Sequence, residues 1–172
     1  MIDQLWAPWR VQLFEQKSRL DSCIFCEFPS RPEAEDCKTL IVHRGESAFI
    51  IQNAFPYSNG HLMVIPYRHT GSLDSLTEAE AQETLRLVRL SVNLLKAVYS
   101  PEGFNIGMNL GAAAGAGIAS HLHWHVVPRW TGDTNFMTAL GGVRVVPESL
   151  PATHERLRAA LPAVIEACKS RA

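Results

Sequence analysis

The period at which apolar residues recur changes several times along the chain, and each change marks an element. Residues 39–44 and 46–52 are rich in β-branched and apolar side chains on either side of Gly45, which reads as two strands around a tight turn. The Pro and Asn-Gly of Asn53-Ala54-Phe55-Pro56-Tyr57-Ser58-Asn59-Gly60 force a loop, and the apolar run 61–65 that follows makes a buried strand. From 76 to 99 the period lengthens: Leu85, Val88, Val92, Leu95 and Tyr99 recur at three or four residues, the buried stripe of one long helix. Thr77 and Glu80 make a capping box at its start, and Pro101 and Gly103 follow its end. Strand patterning returns at 104–110 and again at 121–127, with a loop of small residues, 111–120, between them. A further short strand is expected at 141–146, broken by Pro147–Pro151. Leu157, Leu161 and Ile165 then mark a second helix over 153–167, with Pro162 kinking or breaking it and His154 solvated at its start. Ahead of all these, Val11, Leu13, Phe14 and Leu20 outline a short helix within residues 1–20, where Trp6 and Trp9 act as packing anchors. Strands with two main helices predict an α+β domain on an antiparallel sheet.

Composition narrows the class without naming a function. The 172 residues suit one domain, 1–172, with an N-terminal extension at 1–20 and a C-terminal helical extension at 147–172. At 47% hydrophobic and 19% charged residues, the chain reads as a soluble globular protein. A net charge of −1 with no basic block argues against polymeric nucleic acid as a partner. The N-terminus carries an early acid and no apolar h-region, and no apolar run is long enough to span a bilayer, so a cytoplasmic protein without a membrane partner is expected. In that compartment Cys23, Cys26, Cys37 and Cys168 are thiols or metal ligands rather than a disulfide framework.

Chemistry concentrates in two places. His121, His123 and His125 alternate with Leu122, Trp124 and Val126, so a strand would carry the three imidazoles on one face. Each ring needs partners when buried and each titrates near neutrality, which makes this an active site or a metal site. Cys23-Ile24-Phe25-Cys26 is half of a tetrahedral zinc site, with a redox pair or two ordinary buried thiols as the competing readings. Cys37 and Cys168 have no such neighbours. The glycines of 111–120 let backbone N–H groups approach an anion closely, directly ahead of the histidines.

The run His121-Leu122-His123-Trp124-His125-Val126-Val127 resembles the signature of the histidine triad (HIT) superfamily of nucleotidyl hydrolases and transferases, and the likeness extends over roughly residues 20–140. The resemblance implies a HIT-like fold, with an antiparallel sheet of about five strands, and a two-fold homodimer. It implies His123 as the nucleophile of a covalent nucleotidyl-histidine intermediate, His125 at the phosphate and leaving group, and His61 as an orienting or proton-relaying residue. Asn53 would contact the ribose, while Asn109, Ser120 and the backbone around Gly117 would contact phosphate. In zinc-containing bacterial members the second half of the metal site comes from positions matching His69 and His121, so His121 is claimed by both zinc and catalysis. No organic cofactor is implied. Common hydrolase members place a Gln where this chain has Gly117; that departure, and the segment Pro128–Met137, look instead like a bacterial diadenosine tetraphosphate phosphorylase-like branch. The expected substrate is thus a small nucleotide, a dinucleoside polyphosphate. A purine nucleoside phosphoramidate or adenylyl hydrolase is the enzymatic alternative, and a zinc-stabilised nucleotide-binding module without turnover is the alternative of another class.

Overall fold

The structure, a computed structural model, describes residues 23–133 and 147–170. Two short helices, α1 (Ile24–Ser30) and α2 (Asp36–Thr39), precede a sheet of five strands. These are β1 (Ile41–Arg44), β2 (Ala48–Gln52), β3 (Leu62–Pro66), β4 (Gly103–Gly107) and β5 (Trp124–Arg129), in spatial order β1-β2-β3-β5-β4 with every neighbouring pair antiparallel. The two long helices are α3 (Glu78–Tyr99) and α4 (Leu150–Lys169). The expected α+β class and five-stranded antiparallel sheet are therefore present. The first helix in residues 1–20, its tryptophans and the strand at 141–146 lie outside the described residues.

Burial on both faces explains why β2 and β3 read as continuous apolar runs. Ala48, Ile50, Leu62 and Val64 face one core with Val42, Val126, Leu87, Leu94, Leu95, Leu157 and Leu161. Phe49, Ile51, Met63 and Ile65 face the other, under Phe25 of α1. The turn between β1 and β2 is built on close approach. A Cβ at Gly45 would stand 2.5 Å from Glu83 Oε1 and 2.8 Å from the Ala48 carbonyl oxygen. That carboxylate accepts from the Glu46 and Ser47 N–H groups and from the Ser47 hydroxyl. Burial alone would raise the Glu83 pKa, but these donors outweigh it and the net shift is downward.

The capping box at Thr77 and Glu80 forms as expected. Of the predicted helical stripe Val88 and Leu95 are buried and only Leu85, 57% exposed, is misplaced; Thr84, Leu87, Leu90, Ser91 and Leu94 complete the buried row. Val92 and Tyr99 are half-buried at its rim. Three further expectations are corrected. Pro151 stands in the first turn of α4, where a missing N–H costs nothing, so the helix begins at Leu150; Pro162 lies inside it without ending it. His154 is buried, not solvated, and donates its Nε2–H to the Ile41 carbonyl at 2.9 Å. The strand expected at 104–110 ends at Gly107, which leaves Asn109 in the loop. Among the described residues no helix is long and apolar enough to cross a membrane.

Candidate active site and metal cluster

The triad segment enters the sheet later than its alternation suggests. β5 pairs with β3 at Leu62↔Val126 and Val64↔Trp124, so the next partner for Leu122 would be Pro66, which has no N–H to give. Leu122 instead donates its N–H to the Thr70 carbonyl at 2.7 Å. His121 and His123 consequently lie ahead of the ladder, and only His125 stands in it, opposite Met63 on one side and Gly107 on the other. Gly71 permits the crossing, because a Cβ there would meet the Ala119 carbonyl oxygen at 2.4 Å.

The hydrogen bonds assign a proton to each ring of the cluster. His61, fully buried, has Nδ1 at 3.1 Å from the Tyr57 N–H and 3.2 Å from Asn53 Nδ2, so this nitrogen accepts. Its Nε2–H therefore donates to His125 Nδ1 at 3.0 Å. His125 is left with its proton on Nε2. The neighbouring His123 has the opposite tautomer: Nδ1–H donates to the His121 carbonyl at 2.8 Å, and Nε2 keeps its lone pair. The two rings stand 5.0 Å apart between centroids and nearly perpendicular. Burial, then the charge on His123, pushes His125 down to about 4. Burial likewise lowers His123, against the opposing pull of the His121 carbonyl. At neutral pH the pair presents one nitrogen lone pair and one N–H donor, both on uncharged rings.

A second cluster shares His121. Cys23, Cys26, His69 and His121 offer ligand atoms that all lie within 4.8 Å of one another. His121 Nδ1 is 3.3 Å from Cys23 Sγ and 3.6 Å from Cys26 Sγ, and His69 Nδ1 is 3.3 Å from Cys26 Sγ. Tetrahedral zinc with S and N ligands needs edges of about 3.3–3.8 Å. The fit extends to the proton: His121 donates Nε2–H to the Pro66 carbonyl at 2.8 Å, leaving Nδ1 unprotonated toward the sulfurs. Burial, then the nearby Cys23, raises the Cys26 thiol, a shift that a bound cation would reverse. The ring of His121 thus belongs to the sulfur cluster, and its carbonyl belongs to His123.

Residues 34–132 match the family model of the HIT domain. An AP-4-A phosphorylase of Mycobacterium tuberculosis is 40% identical over 161 residues, covering 91% of this chain and 83% of that protein. The protein belongs to the histidine triad family. Among solved structures, a zinc-bound HIT protein from Mycobacterium smegmatis superposes with a TM-score of 0.66 at 27% identity, covering 85% of this chain and 97% of that one. A hypothetical histidine triad nucleotide-binding protein from Sulfolobus tokodaii gives a TM-score of 0.62 at 26% identity, covering 86% and 94%.

Within this HIT protein, the remaining predicted positions fall around the same histidines. Asn53 holds His61 and also accepts from the Phe55 N–H, so it caps the loop and orients a ring at once. Asn109 is half-buried, and Ser120 is exposed immediately before His121. In the loop, Gly111 and Gly115 adopt positive φ (+81° and +87°), and a Cβ at Gly111, Gly115 or Gly117 alike would meet nothing within 4 Å. Two contributors escaped the sequence reading. Tyr57 fixes His61 through its backbone N–H and lays its ring 5.8 Å from that of His125. Phe25 touches both His121 and His123. Each was marked only by being aromatic beside a polar motif.

The depressed His125 pKa has a thermodynamic consequence. An unfolded histidine titrates near 6.5, so between roughly 6.5 and about 4 the unfolded chain binds more protons at this position than the native one. The contribution is intact above pH 6.5 and is lost as pH falls through that window. The urea midpoint should hold steady above pH 7 and decline between 6.5 and 4, with a shallower decline in His125→Gln. Equal slopes in the two proteins would assign the acid sensitivity elsewhere.

Proposed function

We propose that this HIT protein cleaves dinucleoside polyphosphates, diadenosine tetraphosphate among them, through a nucleotidyl group held transiently on His123. The observation that carries the reading is the pair of opposite tautomers. His123 Nε2 offers a lone pair to phosphorus, and the adjacent His125 Nε2–H offers a donor to a phosphoryl or leaving-group oxygen. His61 holds that donor in place, Asn53 orients His61 and contacts the ribose, and Asn109, Ser120 and the 111–118 backbone receive the phosphates. His121 serves as a metal ligand and a backbone acceptor, its ring being turned to the cysteines. Gly117 stands where common hydrolase members carry a Gln, so that amide is missing from the site. Together with the 40% identity to a protein called AP-4-A phosphorylase, this departure favours inorganic phosphate as the acceptor.

Cys23, Cys26, His69 and His121 would hold one structural zinc, which neutralises two thiolates and ties α1 to the triad segment. We further propose one cytoplasmic HIT domain that pairs as a two-fold dimer. β4 is paired only with β5 among the described residues, and Ile106 and Leu110 near its free edge are 45% and 48% exposed.

The deciding assay incubates diadenosine tetraphosphate with and without phosphate. The expected products are ADP and ATP, formed only when phosphate is present. AMP and ATP in phosphate-free buffer would replace phosphorolysis by hydrolysis, and no turnover in either buffer would leave a binding module.

A further inference from the structure

A single hydrogen bond leaves one freedom of the His123 ring open. The Nδ1–H···O contact to His121 fixes a distance, but the ring torsion of histidine is soft, and the plane can swing about that contact. In-line attack on phosphorus needs the Nε2 direction held to about 10–20°. Ring contacts must hold the plane, and His125, nearly perpendicular at 5.0 Å between centroids, supplies one of them.

The aromatic ring that meets His123 from α1 is Phe25. It is 4% exposed, lies with its centroid 5.2 Å from that of His123 at a tilt of 54°, and meets His121 edge-on at 5.6 Å. Its place follows from the knuckle. Cys23 caps α1, its carbonyl accepts from the N–H groups of Cys26 and Glu27, and both thiols turn toward His69 and His121. Of the two residues between them, Ile24 and Phe25, it is Phe25 that is buried on the sheet, in the cluster of Phe49, Ile51, Met63 and Ile65. The cysteines thus aim an aromatic wall at the ring that the His121 carbonyl has already anchored.

We propose that Phe25 is a positioning residue for His123, and that the cysteine knuckle bears on nucleotidyl transfer through this ring rather than by contact with substrate. The inference rests on His123 being the nucleophile. Phe25→Ala and Phe25→Leu are made in the full chain and compared with the unsubstituted protein. The readouts are metal content, AMP affinity by calorimetry, melting temperature, and the single-turnover rate of nucleotidyl-enzyme formation from diadenosine tetraphosphate. Misplacing a reacting atom by about 1 Å costs about 100-fold. Adduct formation should therefore slow by about 30- to 100-fold in Phe25→Ala, with AMP affinity within about threefold and metal retained. Phe25→Leu, which restores most of the wall's bulk, should recover to within about tenfold of the parent. An unchanged adduct rate in both variants, whatever their melting temperatures, would overturn the proposal. So would loss of metal from both, which would make Phe25 part of the knuckle's own packing. A His123→Asn protein that still forms the adduct would instead overturn the nucleophile assignment beneath it, and that outcome is read independently of Phe25.

Discussion

His123→Asn should lose turnover by about 10⁴-fold or more while still binding AMP within about threefold of the parent. The substitution is chosen for what it keeps. An asparagine amide can still donate an N–H toward the His121 carbonyl, which receives the His123 Nδ1–H at 2.8 Å. It offers no nitrogen lone pair where Nε2 stands, so the path through a covalent intermediate closes. Ten-thousandfold corresponds to about 5 kcal/mol of transition-state stabilisation, more than a lost hydrogen bond supplies. The measurement is kcat with saturating dinucleotide, paired with intact-protein mass after rapid quench. The parent should carry one nucleotidyl group, and the variant none. A variant that retains a tenth of the parent's kcat, or that still carries the group, would move the nucleophile to another residue.

The triad and the cysteine–histidine cluster were legible because their chemistry is written in residue types that few other roles require. Alternating histidines and a C-x-x-C pair survive any uncertainty about where a strand starts. What could not be read is which part of each residue does the work. His121 was claimed by both zinc and catalysis; the fold divides it, ring to the sulfurs and carbonyl to His123. That division depends on the His121 ring reaching the Pro66 carbonyl, a matter of tertiary placement between residues 55 apart in sequence. The helix stripe was incomplete for a different reason. Thr84 and Ser91 sit in the core because each hydroxyl donates to the carbonyl four residues earlier, Glu80 and Leu87. A polar residue satisfied by its own helix breaks the apolar pattern without leaving the interior, so the apolar period passes over Thr84 and Ser91 and includes the exposed Leu85. His154 misleads in the same way, its acceptor being supplied by a strand 113 residues away.

Removing a cysteine of the proposed metal set should produce the second large effect, with a size that differs among the four residues. The set joins three segments, with sequence separations of 43 residues from Cys26 to His69 and 98 from Cys23 to His121. Bound metal stabilises the fold by mass action, about 4 kcal/mol at a thousandfold excess over its dissociation constant. For a chain of this size each kcal/mol moves the melting temperature by about 2–4 °C. Cys26→Ala should therefore release the metal and melt on the order of 10 °C lower. Chelation of the unsubstituted protein should reproduce the shift. Acidification should favour release as well, because the thiols must be deprotonated to bind and burial beside Cys23 holds Cys26 above its usual range. His69 is exposed, so water can take its place. His69→Ala should keep one metal per chain at reduced affinity, with a smaller thermal shift. Loss of His121 differs again, because it also strips the Pro66 carbonyl of its donor inside the core. Equal melting temperatures for Cys26→Ala and the parent, each free of metal, would reduce the cluster to thiol–imidazole hydrogen bonds and leave α1 held by the packing of Phe25 alone.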